Sequence, residues 1–312
     1  MQIFRSFEEA GCVRNAVVTT GTFDGVHLGH RAIINRLNRI ATEVQGESVL
    51  ITFHPHPRKV LYPESEGRNL RMILTQEEKI EHLRETGLQN LLIIPFTIDF
   101  SQISSYTFVT KYLLGKLHAK VIVVGYNHHF GHNREGNYNY LYELSKKLGF
   151  AVEEIPMQEI QNESVSSTKI RKALQEGNIQ RANAALDHLF CISGIAQEGN
   201  PFLRAKGYPT SFLTVSDPEK LIPPEGVYAV RSKVNDTAHK GICNIIFSSH
   251  DRFDLPSSIE FILLEQRSPL ISGTKLRLFF HKRLRDFMQF SNPEDLIRQI
   301  IRDKQQVDEL IY

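Results

Sequence analysis

Residues 16–30, AVVTTGTFDGVHLGH, run from an apolar strand through a glycine-rich turn into the opening of a helix. AVVTT (Ala16 to Thr20) is β-rich and almost continuously apolar, and Ile33, Leu37 and Ile40 give the helix after Gly29 an apolar stripe. Gly21 and Gly25 let the backbone turn sharply and approach a ligand, and Gly29 leaves no side chain between His27 and His30. On a first helical turn, that spacing sets both imidazoles on one side, beside N–H groups carrying the partial positive charge of a helix start. A parallel sheet presents its ligands at the carboxyl ends of its strands, so the turn reads as a seat for polyphosphate. It is neither a Walker loop nor the dinucleotide fingerprint, because G-x-x-x-x-G-K-[ST] is absent and the glycines are not spaced G-x-G-x-x-G.

Outward from this turn the alternation continues. SVLITF (Ser48 to Phe53), LLIIPF (Leu91 to Phe96), KVIVVG (Lys120 to Gly125) and FAVEEI (Phe150 to Ile155) read as buried strands. Helical patterns lie between them: Thr75 and Glu78 suggest a capping box ahead of Ile80 and Leu83, and Tyr138, Leu141, Leu144 and Leu148 form a second stripe. The expectation is an α/β fold with a doubly wound parallel sheet over residues 1–185. Beyond about Asp187 the texture changes to CISGIA, PTSFLTV, GVYAVRS, GICNIIF, SIEFILL and KLRLFF, separated by turns with no helical pattern between them. Residues 186–312 are therefore expected to form a small antiparallel β-barrel. It is followed by a C-terminal helix with Asn292 as N-cap, Pro293 at the first helical position, and Leu296, Ile297, Ile300, Ile301 and Val307 buried.

The whole-chain properties set limits. At 312 residues, 41% hydrophobic and 23% charged, the chain has the composition of a globular protein long enough for two cores. A formal charge of +2 without a basic tract argues against nucleic acid as a partner, and no apolar run reaches bilayer length. The three cysteines, Cys12, Cys191 and Cys243, are widely spaced, and MQIFRSFEEAG lacks a secretory profile, so a reducing cytoplasm is expected. No sequence pattern specifies an oligomeric state.

Three further segments carry polar chemistry. In SSTKIRKAL (Ser166 to Leu174), Ser166 or Ser167 can cap a helix whose first turns bear Thr168, Lys169 and Arg171, a grouping suited to phosphate. TFHPHP (Thr52 to Pro57) ends a strand with His54 and His56; alternate residues of extended chain diverge, which favours one histidine facing the site over a zinc-chelating pair. VGYNHHFGHNREGN (Val124 to Asn137) ends another strand with Asn127, His128, His129, His132 and Arg134, a loop that reads either as a nucleotide or flavin contact or as a solvated surface.

Together these motifs resemble the bifunctional riboflavin kinases/FAD synthetases of bacteria. GTFDGVHLGH is similar to that family's G-x-F-D-G-x-H-x-G-H, TFHPHP to T-F-x-P-H-P, and SSTKIR to I-S-S-T-x-I-R, in the same order. The loop 124–137 resembles V-G-x-D-F-x-F-G-x-x-R-x-G, with Asn127 where an aspartate is usual. The resemblance implies adenylylation of FMN by ATP. ATP would lie across His27 and His30, seated on Gly21, Thr22, Phe23, Asp24 and Gly29, with Ser166, Ser167, Thr168 and Arg171 on the triphosphate and Mg²⁺ neutralising charge. His54, His56, Asn127 and Arg134 would contact flavin or nucleotide.

The second half departs from the family pattern. LRAKGYPTSF keeps Arg204, Gly207, Pro209 and Thr210 of G-R-x-x-G-F-P-T-A-N, but Phe212 stands where an asparagine is expected to hold Mg²⁺ with the threonine. A phenyl ring cannot ligate magnesium, which leaves Thr210 as the metal candidate. GICNIIFSSH keeps Gly241 and Asn244 without N-x-G-x-x-P-T, while SIEFILL keeps Glu260, implied by the resemblance to be the base that takes the riboflavin 5′-hydroxyl proton. The expectation is an adenylyltransferase joined to a weakened riboflavin kinase. The competing readings are a related transferase for another phosphorylated substrate, and a barrel that binds flavin without catalysis.

Overall fold

The computed structural model describes residues 1–126, 129–155, 165–235, 237–247, 256, 258–266 and 270–311. The chain divides into two compact units, one of residues 1–70 with 76–165, the other of residues 71–75 with 166–312. The sequence reading placed the join at 185/186 instead. The residues between the two positions contain a pair of helices, and the second of these packs on a barrel strand.

The first unit is a parallel sheet of β1 (Gln2–Phe4), β2 (Val17–Thr20), β3 (Ser48–His54), β4 (Asn90–Pro95), β5 (Val121–Gly125) and β6 (Ala151–Ile155) in the order β1-β4-β3-β2-β5-β6. Five of these strands were expected; β1 was not, being too short to show a period, and it pairs with β4 through Gln2 and Asn90. The helices are α1 (Leu28–Glu43), α2 (Pro57–Leu61), α3 (Gln76–Arg84), α4 (Ile98–Ser101), α5 (Ser105–Thr107), which runs on into a π-helical stretch over Phe108–Leu114, and α6 (Tyr138–Leu148). Val18, Val49, Ile51, Leu92, Ile122 and Val124 project from the sheet into one core cluster with Phe108, Val109, Leu113 and Leu141.

Two helical stripes shift from their expected positions. On α1 the buried residues are Gly29, Ile34, Leu37, Ile40 and Ala41, and Ile33 is half-buried and lines a cavity. On α6, Leu141 is buried and Tyr138 and Leu144 pack beside it, but Leu148 is exposed next to Gly149, whose left-handed φ of 76° closes the helix.

The second unit contains α7 (Ser167–Gln175), α8 (Ile179–Leu186), β7 (Cys191–Glu198), α9 (Pro201–Ala205), β8 (Thr210–Val215), β9 (Gly226–Val234), β10 (Thr237–Ile246), β11 (Ser258–Leu263), β12 (Lys275–Arg285) and α10 (Pro293–Leu310). The six strands close an antiparallel barrel in the order β10-β11-β8-β7-β12-β9, matching all six segments read from the sequence. The expectation that no helix interrupts them fails at α9, where the Asn200 side chain caps Phe202 and Leu203 and Pro201 takes the first helical position. Asn183 of α8 fastens the helix pair to the barrel, donating to the Phe280 carbonyl at 2.8 Å and accepting from the Phe190 N–H at 2.8 Å.

Helix α10 begins as expected, with Asn292 accepting from the Glu294 N–H at 2.9 Å. Its inner face differs: Ile300 and Val307 are buried, Ile301 is 43% exposed, and the buried position between them is Asp303. That carboxylate takes a two-pronged contact from Arg285, with Nη2 at 2.7 Å, and a further hydrogen bond from Gln299 at 2.9 Å. Replacing Asp303 by Ala leaves the half-buried guanidinium without its counter-ion. Urea denaturation of the Asp303→Ala chain is expected to show a loss of about 3 kcal/mol in the barrel transition.

Candidate active sites

The order of the first sheet reverses between β2 and β5, so the chain leaves the ends of these neighbours toward opposite sides and opens a crevice there. The loop 21–27 springs from β2, residues 129–136 follow β5, and both contribute to the lining of a cavity of about 1020 Å³. Its lining brings the polar Gly21, Thr22 and His30 together with six phenylalanines, at positions 23, 53, 96, 100, 108 and 130, and with His129, His132 and Arg134.

The glycine-rich turn is tightly fixed. His27 is the N-cap of α1, accepting the His30 N–H on Nδ1 at 3.4 Å, and the two imidazoles stack with centroids 3.6 Å apart. Phe23 stacks on the other face of His30 at 4.5 Å. His30 therefore stands in a ring stack and faces the cavity, whereas His27 is buried behind it. Phe23 and Val26 hold positive φ angles of 50° and 41°, an uncommon backbone for any residue with a Cβ and strained for a β-branched one. The strain is sustained because both side chains are buried.

Beneath the turn lies a residue the sequence reading missed. Helix α3 buries Glu78, Lys79, His82 and Leu83, so its inner face carries charge where Ile80 was expected to pack. The Lys79 ammonium lies 3.4 Å from the Thr22 carbonyl and 3.3 Å from Thr52 Oγ1, and the Thr52 hydroxyl reaches the same carbonyl at 3.1 Å. Burial pulls Lys79 down to about 8, and the nearby Asp24 carboxylate, itself buried, partly opposes that pull. In sequence, QEEKIEHLR shows only an ordinary charged helix; the unusual feature is that the apolar count on α3 is too low to cover its inner face.

The remaining candidates of the first unit separate. Arg134 lines the cavity at φ 61° in a loop held by Gly131, where a Cβ would fall 2.1 Å from Ser105 Oγ. His54 is exposed at the end of β3, and His56 uses Nδ1 to cap α2 through the Arg58 N–H at 3.2 Å; neither lines the cavity. Asn127 and His128 lie outside the described residues. Ser166, the N-cap of α7, accepts from the Lys169 N–H at 3.3 Å, and Ser167, Thr168 and Arg171 follow it on the helix. Arg171 Nε donates to the Arg71 carbonyl at 3.0 Å, within the second unit.

In the barrel, Gln197, Phe212, Glu260 and Asn244 stand opposite one another across four strands, so their side chains share one face. Burial raises the Glu260 carboxyl above the usual range, although hydrogen bonds from the Thr210 hydroxyl and the Asn200 backbone hold it back. Glu260 Oε1 and Asn244 Oδ1 are buried without a hydrogen-bond partner among the described residues. The Thr210 hydroxyl also accepts the Asn200 N–H at 2.7 Å. That leaves the hydroxyl one lone pair, and Phe212 offers none, so position 212 supplies no oxygen to a magnesium ion beside Thr210. Arg204 pairs with Glu198. Among the described residues no group of three or more His, Cys, Asp and Glu is placed to hold a metal.

These features define a class: an α/β nucleotidyltransferase-type unit, with its glycine-rich turn at the switch point, on one chain with a closed antiparallel barrel. Residues 10–169 match the family model described as FAD synthetase, and residues 186–311 match that of riboflavin kinase. The bifunctional riboflavin kinase/FMN adenylyltransferase of Listeria monocytogenes is 32% identical over 93% of this chain and 91% of its own length. The same enzyme of Buchnera aphidicola from Acyrthosiphon pisum is 33% identical, again over 93% and 91%. The crystal structure of the macrolide-efflux protein from Streptococcus pneumoniae shares the fold, with a TM-score of 0.87 over 99% of both chains at 24% identity. The chain belongs to the bifunctional riboflavin kinase/FMN adenylyltransferase family, and both of its matched domains are enzymatic.

The displaced Lys79 equilibrium has a measurable consequence. Between about 8 and the ordinary 10.5 the unfolded chain holds a proton that the folded chain has released, so stability rises with pH across that interval. The stability of the wild type relative to Lys79→Met is expected to climb by about 3 kcal/mol from pH 8 to 10.5 in urea titrations. A flat difference would show that the ammonium is not desolvated.

Proposed function

We propose that this chain makes FAD from FMN and MgATP. An FMN phosphate oxygen attacks the α-phosphorus of ATP, a new P–O–P bond forms, and pyrophosphate leaves. The observation that carries the proposal is the cavity at the switch point, with Gly21, Thr22, His30 and six phenylalanines in its lining. A planar, largely apolar isoalloxazine suits the phenyl rings, and a phosphoryl group suits the glycine-rich turn. The nucleophile is already an anion, so the site needs positioning and positive charge more than a strong base. His30, oriented by its ring stack and backed by His27, supplies a donor near the α-phosphate; Asp24 and Gly29 keep the turn compact. Arg134 stands at the cavity edge for substrate phosphate. On the same reading Ser166, Ser167, Thr168 and Arg171 serve the β- and γ-phosphates, and Mg²⁺ enters with the nucleotide as part of the substrate.

The barrel on this reading converts riboflavin and MgATP to FMN and ADP, slowly. Glu260 takes the proton of the 5′-hydroxyl, and its unpaired Oε1 is the acceptor for it. Arg204 and Thr210 attend the nucleotide, but Phe212 removes one magnesium ligand, and phosphoryl transfer depends on charge neutralisation. Phe212 also favours a second reading, in which the barrel binds flavin without phosphorylating it.

Incubating the protein with MgATP and FMN, then separating the flavins, is expected to yield FAD with stoichiometric pyrophosphate. His30→Ala should fold and lose about two or more orders of magnitude in rate; an unchanged rate removes this site from the mechanism. With riboflavin in place of FMN, Phe212→Asn should raise FMN formation about tenfold or more. The residual kinase rate should begin to fall on acidification above the ordinary carboxylate range, because the active form of Glu260 is the ionised one and burial raises its pKa. Riboflavin phosphorylation as fast as FAD synthesis in the wild type would refute the idea of a weakened kinase.

A further inference from the structure

We propose that Lys79 is a positioning residue for adenylyl transfer, its buried ammonium holding the Thr22 carbonyl inward so that the Thr22–Phe23 peptide presents its N–H to the cavity side. The inference rests on the adenylyltransferase reading of this site and adds a residue on α3, outside the motifs that define it.

The case begins with cost. A lysine 7% exposed has left most of its hydration behind, and a methionine of similar length would fill the same space without that penalty. The depressed equilibrium of the ammonium reports the penalty, so the position carries a charge that packing alone does not require. The geometry shows where the charge acts. The Thr22 carbonyl is approached by two donors, Lys79 Nζ at 3.4 Å and Thr52 Oγ1 at 3.1 Å, and Lys79 also donates to Thr52 at 3.3 Å, closing a three-membered network. In a planar trans peptide, C=O and N–H point in opposite directions, so a carbonyl drawn toward α3 turns the Phe23 N–H the other way. Thr22 and Phe23 both line the cavity.

The network also opposes the local strain. Phe23 sits at φ 50° and Val26 at 41°, so the turn has an incentive to relax by rotating the peptide before it. Rotation would carry the carbonyl away from both donors and leave the ammonium with Thr52 Oγ1 as its remaining hydrogen-bond acceptor. Lys79 thus holds a strained backbone in the form that offers a donor to an anion, and it places a positive charge behind the site where negative charge moves onto leaving pyrophosphate. Asp24 of the turn is the charged group that acts on the ammonium; Glu78 and His82 are also buried on α3, and β3 contributes the Thr52 hydroxyl.

The test uses the full-length chain with FMN and MgATP. Lys79→Met is expected to lower kcat by about tenfold to a hundredfold while KM for FMN changes by less than about threefold, since the phenyl rings of the cavity are untouched. The wild-type rate should decline as pH rises through about 8, where the ammonium loses its proton. Lys79→Arg, charged at every accessible pH, should recover most of the kcat and lack that decline. Thr52→Val, which keeps the charge but opens the network, should lower kcat by about threefold to tenfold and serves if Lys79→Met does not fold. Wild-type kcat in Lys79→Met or in Thr52→Val, or an alkaline decline preserved in Lys79→Arg, overturns the proposal while the adenylyltransferase reading stands. A wild-type chain that makes no FAD overturns both.

Discussion

Val17 and Val18 of β2 pair with Val121 and Ile122 of β5, and the sheet continues through β3 and β4 on one side of that pair and through β6 on the other. Because crossovers are right-handed, the helices after β2 and β5 are obliged to cover opposite faces, and the connections at the carboxyl ends of these two strands are driven apart. The local geometry of the turn after β2 follows from the gap. It needs a backbone that can turn from β2 into α1 within a few residues, which is why Gly25, and against preference Phe23 and Val26, adopt left-handed conformations. It also sets the two histidines at the end of α1 that faces the gap, where the helix dipole adds to their effect on an anion.

Such a crevice is legible in sequence to the extent that its parts are local. Strand runs, the glycine-rich turn, the Asn292–Pro293 helix start and the six barrel strands all follow from neighbours in the chain, although β10 begins four residues before GICNIIF and β12 runs five residues past KLRLFF. What escaped depends on partners distant in sequence. β1 exists because Asn90 and its neighbours offer an unpaired edge, not because QIF is a strong strand former. His54 and His56 end a strand that points at the site, but the tight entry into α2 spends His56 on a cap and leaves His54 in solvent. The Asn200–Pro201 start of α9 carries the same signal as Asn292–Pro293 and was passed over because a barrel was expected there.

Buried charge is the larger class of omission. Lys79, Lys220 and Asp303 are each at most 7% exposed, and periodicity arguments place every charged residue outward. Each is held by a different device. Asp303 has a guanidinium and an amide; Lys220 has the Ile73 carbonyl at 2.6 Å and the face of Phe190 at 4.7 Å; Lys79 has a carbonyl, a hydroxyl and the more distant Asp24. Of the three, Lys220 ties the five-residue excursion 71–75 to the second unit, reinforced by the Met72 N–H to Glu219 and the Leu221 N–H to Met72, each at 2.8 Å. A chain that crosses between its units at residues 71, 76 and 166 needs such fastening, since a short excursion has little apolar surface of its own to bury.

The two halves also differ in what they ask of a metal, and the difference explains how one departs from the family pattern while the other keeps it. Adenylyl transfer to FMN starts from a phosphate that is ionised at neutral pH; backbone donors, imidazoles and the nucleotide's own magnesium can supply the remaining stabilisation. Phosphorylation of riboflavin starts from an alcohol, so a base must take a proton while the γ-phosphoryl group is steered onto the oxygen. On the proposed reading Glu260 would meet the first requirement, with burial lifting its basicity and an oxygen left without a partner. Steering is the second, and there Phe212 stands directly opposite Glu260 in the strand register, on the same face of the sheet. A phenyl ring at that point can flank a flavin but cannot fix a metal. On the proposed reading, Phe212 would therefore weigh on the kinase chemistry and leave untouched the adenylyltransferase chemistry, which would draw on another set of residues.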